Sequence, residues 1–367
     1  MALIAPTRLP RLQALAPSPH QPPIYPPLQR VPLPPGRGTP APRFLRRNLR
    51  RPRVHAYAGP ARPHPPARLS LPLPTDERWH FLGCRHGLGL LLDRTRFEVT
   101  VWDPVAGDKR RVAIPPELFS TDGPKAVWNG ALLCDDGHSV CCSSKPFKVV
   151  LLRTDDWVGH DPQAFASLYE SKTGVWSNLA STSVKAPLAL IQLQPGILVG
   201  NSFFWLLLGY EKGGILEFDL DRQSLATIKY PAAAHVTRYS DFQIVRMEDG
   251  RLGLAISSDG SIQLWERKAS SVGITEWMLQ KTIELDKLLS LQVPMDSSDA
   301  VMLGYDEDGH VIFISTSVEL FMIQLKSMQF RKLFMRHTIT TYHPYRSFFT
   351  IGNRSSLLFR NNIFAIT

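Results

Sequence analysis

The residues best equipped for chemistry are two acidic runs, four cysteines and a few histidines. Asp135-Asp136-Gly137-His138 and Asp306-Glu307-Asp308-Gly309 bring carboxylates close enough for acid/base work or cation binding. Each run also contains Asp-Gly between apolar segments, the strongest short hairpin signal, so a turn is the favoured reading at both. Neither has the ligand spacing of an EF-hand loop. His86 stands before Gly87 with no nucleophile near it in sequence, and it reads as a turn or strand-end residue rather than a base.

Cys84, Cys134, Cys141 and Cys142 include a vicinal pair but no C-x-x-C. Closed zinc sites use paired short spacings, so even with His138 nearby no metal site is expected. Four reduced thiols packed as small hydrophobes are expected instead, which points to a reducing compartment, cytoplasm or nucleus. Asn353-Arg354-Ser355 is a formal glycosylation sequon that would be inert there. No G-x-S-x-G, H-E-x-x-H, P-loop or G-x-G-x-x-G pattern occurs. The expectation is a non-enzymatic protein with no catalytic residue, cofactor or metal. An enzyme working at a central channel is the alternative from another class.

The formal charge of +10 over 367 residues resembles a nucleic-acid signal until it is located. Residues 1–74 hold 12 Arg, 20 of the 31 Pro and no Asp, Glu or Lys, which leaves the rest of the chain close to neutral. A nucleic-acid surface needs cationic groups on a folded face, and the body lacks that excess. Proline removes a backbone donor and fixes φ, so runs such as Tyr25-Pro26-Pro27 fit neither helix nor central strand. Residues 1–75 are expected to be a disordered Pro/Arg-rich segment. Other readings of it are a nuclear-import or RNA-binding arm around residues 43–53, a Ser-poor transit peptide, or an off-frame exon. No membrane span is expected, because the most apolar stretch, 187–210, is broken by Gln192, Gln194, Pro195, Gly196, Gly200 and Asn201.

From 76 to 367 short β-branched and aromatic runs alternate with Gly and Asp/Asn turns, the spacing of an all-β sandwich, barrel or propeller. A unit of turn, strand, strand, charged turn and strand recurs, with its opening turn at residues 87, 130, 202, 250 and 309. Propeller blades run about 40–50 residues, and one blade cannot bury both of its faces alone. Five copies plus a composite blade joining the two ends predict an all-β β-propeller of about six blades, with five or seven as alternatives. One helical turn is predicted at Leu285-Asp286-Lys287-Leu288-Leu289.

Of the eight tryptophans, Trp102, Trp128, Trp176, Trp205 and Trp265 fall on repeat strands and read as packing residues. Trp79 and Trp157 fall near loops, where an exposed Trp is a typical interface anchor. They form, with Asp155, Asp156 and His160 of the 155–162 loop, the candidate partner-binding set.

Several stretches resemble the plant F-box-associated β-propeller proteins, a large kelch-like family. They include Leu82-Gly83-Cys84-Arg85-His86-Gly87, Val101-Trp102-Asp103-Pro104, Val127-Trp128-Asn129-Gly130-Ala131, Pro146-Phe147-Lys148-Val149-Val150, Ile215-Leu216-Glu217-Phe218-Asp219-Leu220 and Tyr342-His343-Pro344. The resemblance implies a propeller that selects a target protein for a Skp–cullin–F-box ubiquitin ligase, hence a role in protein ubiquitination. In that family an F-box, a small helical bundle that binds the Skp-type adaptor, precedes the propeller. Here prolines stand where its helices would be, and only Arg43-Phe44-Leu45-Arg46-Arg47 resembles the end of that region. Two outcomes follow as expectations: substrate recognition with an unknown target protein, or a truncated relative without adaptor binding.

Overall fold

The computed structural model describes residues 54–58 and most of 79–366. Outside the description lie residues 1–53, 59–78, 367, position 259 and the segments 104–105, 120–125, 135–145, 156–162, 185–189, 192–193, 209–212, 233–240, 270–274, 290–299, 317–318, 334–340 and 350–357; for 54–58, 155, 190–191, 208 and everything past 340 only the backbone is described.

All sheets are antiparallel. β1 (Val54–Ala58) is treated below with the closing sheet. Blade one runs β2 (Trp79–Arg85), β3 (Leu88–Asp93), β4 (Glu98–Trp102), β5 (Lys109–Ala113). Blade two runs β6 (Ala126–Cys134), β7 (Phe147–Asp155), β8 (Gln163–Glu170), then β10 (Ala180–Ser183), with the short β9 (Val175–Trp176) also on β8. In blade three β11 (Leu190–Ile191) and β12 (Ile197–Val199) both pair with β13 (Ser202–Leu208), which leads to β14 (Gly214–Asp219) and β15 (Ser224–Lys229). Blade four is β16 (Phe242–Arg246), β17 (Leu252–Ser258), β18 (Ser261–Ala269) and β19 (Thr275–Glu284), followed by the predicted helical turn α1 (Leu285–Leu289). Blade five is β20 (Val301–Asp306), β21 (Val311–Ser315), β22 (Leu320–Gln324) and β23 (Phe330–Leu333).

The blade count is therefore corrected from six to five. The composite sheet expected as a sixth blade has three strands, in the order β1, β25 (Leu358–Ile366), β24 (Thr341–Phe349). It joins the two ends of the propeller, since Val54 lies opposite Ile366 and Ala58 opposite Asn362. β24 neighbours both β2 and β20 and so closes the ring of innermost strands. β1 also falls inside the stretch 1–75 that sequence alone marks as disordered. The remainder of that stretch lies outside the described residues.

Side-chain alternation explains how the blades hold together. In a strand, successive side chains point to opposite faces, and on β13 the two faces serve two different neighbours. Phe203, Trp205 and Leu207 pack with Leu152, Ala166 and Leu168 of blade two. Phe204 and Leu206 pack with Phe242, Ile244 and Leu254 of blade four. β7 divides in the same way: Val149 and Leu151 join Leu90, Leu92 and Val99 of blade one, while Val150 and Leu152 face blade three. Each boundary is thus an apolar layer shared by two sheets. Burial falls outward, and β5, β15, β19 and β23 are mostly exposed.

Two tryptophans stitch the outer strands of adjacent blades. Trp176 Nε1 of blade two donates to the Ala113 carbonyl of blade one at 2.9 Å. Trp277 Nε1 of blade four donates to the Lys229 carbonyl of blade three at 2.8 Å. The expectation of four reduced thiols fails at Cys134, which ends β6 inside the layer between blades one and two and is disulfide-bonded. Cys84 is not disulfide-bonded. No helix among the described residues is long and apolar enough to cross a membrane.

Candidate functional site

The innermost strands leave a cavity of about 50 Å³ where four blades converge. β2 contributes Gly83, Cys84 and Arg85, β6 contributes Gly130 to Leu132, the approach to β12 contributes Pro195 and Gly196, and the β20–β21 turn contributes Asp306, Glu307 and Asp308. Two glycines make the close approach possible. A Cβ on Gly130 would sit 2.9 Å from the Val150 carbonyl, and one on Gly196 would sit 2.6 Å from the Trp205 indole.

Glu307 is the hub of this end of the ring. Its carboxylate forms an ion pair with Arg85 Nη2 of blade one. Its Oε1 also accepts the Leu198 backbone N–H of blade three at 3.3 Å. Its backbone carbonyl accepts Arg246 Nη2 of blade four at 3.0 Å. Tyr305 adds a second tie to blade four, donating its hydroxyl to the Arg246 carbonyl at 3.1 Å and lying 3.0 Å from His310 Nδ1. Burial pushes the Tyr305 phenol up, so it stays a neutral donor.

Arg85 is the cationic member. Its guanidinium lies 5.5 Å from the centre of the Phe203 ring, a cation–π distance. Burial pushes its pKa down to about 10, partly offset by the nearby Asp308 carboxylate; the group stays charged at neutral pH. Its Nε and Nη1 are buried and make no hydrogen bond among the described residues. The Cys84 thiol is pushed up by burial, with Asp306 adding to the effect, so it is no ready nucleophile. Asp306 is buried and Asp308 exposed, which gives the cavity an acidic rim around one paired cation.

Of the residues expected to bind a partner, Trp79 and the backbone of Asp155 are described, and neither lines this cavity. Trp79 opens β2 opposite Asp93 and is half buried rather than set on an exposed loop. It stands six residues from Arg85, about 20 Å along an extended strand. Its indole Nε1 is buried with no hydrogen-bond partner among the described residues. Asp155 ends β7 opposite Ala126, and its side chain lies outside the described residues. Asp156, Trp157 and His160 lie outside them entirely. The Asp306-Glu307-Asp308-Gly309 run is a turn as expected, yet it also supplies the hub of the cavity. Reading the sequence named Glu307 within that acidic run but did not pair it with Arg85, because only the folded ring brings the two together.

Residues 80–347 match the profile of a family described as F-box protein AT5G49610-like, β-propeller. No curated protein matches the chain by sequence. Among solved structures, the chain is similar to a PQQ-bound aldose sugar dehydrogenase from Streptomyces coelicolor at 13% identity, covering 79% of this chain and 94% of that one, with a TM-score of 0.38. A luciferin-regenerating enzyme matches at 10% identity over 86% and 95% of the two chains, TM-score 0.39. The Dos1 propeller matches at 10% identity over 78% and 64%, also at 0.39. Nothing about activity follows from likenesses at these scores.

Proposed function

Because the chain belongs to the F-box protein AT5G49610-like β-propeller family, we propose that it is a non-enzymatic protein-binding propeller, the target-recognition part of a Skp–cullin–F-box ubiquitin ligase or a relative that has lost adaptor binding. The observation that carries this reading is the family match across every blade from 80 to 347. The ring supports it physically, because five blades give a rigid scaffold on which turns and loops are free to vary. Its target is a cytoplasmic or nuclear protein.

The test is a pull-down of purified full-length protein with the Skp-type adaptor, using a relative with an intact F-box as positive control. Capture of the adaptor supports the ligase role and places an adaptor-docking element in residues 1–75. Failure to capture it, while the control succeeds, overturns the ligase role and leaves the propeller as a scaffold or competitor.

A further inference from the structure

The cavity at the convergence of blades one, two, three and five has a lining of mixed sign, and that restricts what it can hold. A carboxylate entering it would meet Asp306, Glu307 and Asp308 together. An ammonium would find the carboxylates but, having no acceptor, would leave the buried Arg85 donors unsatisfied. Arg85 keeps two N–H-bearing nitrogens without an acceptor among the described residues. A buried donor left unpaired costs more than an ordinary hydrogen bond contributes, and a charged one more still. An acceptor brought close enough for Arg85 to swing onto it therefore recovers a large penalty.

The group that satisfies both halves of this lining is neutral and dipolar, with an acceptor for Arg85 and donors for the carboxylate of Asp308. A primary amide has both on one carbon. Size agrees: about 50 Å³ admits a few water-sized groups, since each needs roughly 10–15 Å³, and excludes an aromatic ring. The apolar floor of Leu90, Ile197 and Phe203 suits the methylene stem that carries such an amide.

We propose that this cavity is the anchoring subsite for an Asn or Gln side chain of the bound protein, with Arg85 donating to the amide oxygen and Asp308 accepting from the amide nitrogen. The proposal rests on the protein-binding reading above and specifies the chemistry of its contact.

Ligand-observed saturation-transfer NMR on the full chain tests it, with three probes at millimolar concentration: the N-acetyl, N-methylamide derivatives of glutamine, glutamate and lysine. The glutamine probe is expected to bind best, and Asp308→Asn to weaken it about tenfold, the scale of one hydrogen bond to a charged partner. Arg85→Met should do the same or more. Because Arg85 also holds Glu307, the exposed Asp308→Asn variant decides the matter if Arg85→Met does not fold. Equal or better binding of the glutamate or lysine probe overturns the proposal. So does the absence of transfer to all three, or glutamine binding that Asp308→Asn leaves unchanged. The experiment needs neither adaptor nor target, so its failure beside a successful pull-down would move the contact elsewhere on the propeller without touching the ligase role.

Discussion

The boundaries between blades and the cavity where four of them converge are built by opposite means. Between blades two and three, Trp205, Phe203 and Leu207 meet Leu152, Ala166 and Leu168 with almost no polar atom involved. A few residues away, Glu307 draws Arg85, Leu198 and Arg246 from three other blades through charge and hydrogen bonds alone. Apolar layers are non-directional and tolerate relaxation, so they suit contacts repeated between every pair of neighbours. Charge pairs demand geometry and contribute little net stability when desolvated. A ring that needed only stability would fill that end with more aliphatic side chains. On the proposal above, the polar cluster is a place held ready for contact rather than a clasp.

The largest effect separating the two regions is expected at Trp205, which is 1% exposed. Trp205→Ala removes the indole from the layer between blades two and three and should cost about 3–5 kcal/mol, the range for large-to-small changes in a core. The denaturant midpoint reads it directly. A cost below about 1 kcal/mol would mean that the boundary closes over the gap and that the layer is looser than its burial implies.

Strand β2 carries the comparison within itself, with neutral His80 near one end and charged Arg85 at the other. Burial, and secondarily Arg94, push His80 down to about 4 from 6.5. Its folded state thus binds a proton less readily than its unfolded state. Stability should be flat above about pH 6.5 and fall as pH drops toward 4, by up to about 3 kcal/mol at about 1.4 kcal/mol per pH unit. His80→Gln removes that slope and leaves the carboxylate contributions in place. Parallel pH profiles of the two proteins would show that His80 titrates normally and sinks the assignment.

At the polar end, Glu307→Gln keeps the shape and removes the charge. Arg85 and Glu307 are partly exposed, at 14% and 13% of their side chains, so the loss should be about 2 kcal/mol, short of the 3–5 typical of a fully buried broken pair. Measured in the same denaturant series as Trp205→Ala, a larger loss at Glu307 than at Trp205 would reverse the comparison and make the cluster a structural clasp.

How much of this could be read beforehand depended on which strand was in question. Middle strands such as β14 are short apolar runs, here Ile215, Leu216 and Phe218, bounded by a turn that follows Asp219, and they were legible. The innermost strands were not. β12 is three residues long and β20 runs straight into an acidic turn, so neither displays a period of its own. One misreading is instructive. Asn129-Gly130 has the composition of a hairpin turn, and the repeat unit of blade two opens there by sequence. The structure puts Gly130 in mid-β6 opposite Leu151, where the missing Cβ leaves room for the Val150 carbonyl. Asp308-Gly309, of the same composition, is a real turn. Local sequence cannot separate a glycine chosen for φ from one chosen for space, and the cavity lies on the strands where that ambiguity falls. The closing sheet had a different obstacle: β1 sits among prolines and arginines, and only its pairing with β25 makes it a strand.

The smallest predicted effect concerns the rim, where the two modes of construction meet. Trp277 is half buried on β19 and donates its indole N–H to the Lys229 carbonyl across the boundary of blades three and four. Trp277→Phe keeps an aromatic ring and loses that donor. The expected cost is about 1 kcal/mol, the net worth of one hydrogen bond, and the matching Trp176→Phe at the boundary of blades one and two should cost a similar amount. Because the two sites share no partner, their double variant should be additive within a few tenths of a kcal/mol. Strong coupling between them would show that outer strands at separate blade boundaries sense one another, which shared apolar layers acting only between neighbours would not produce.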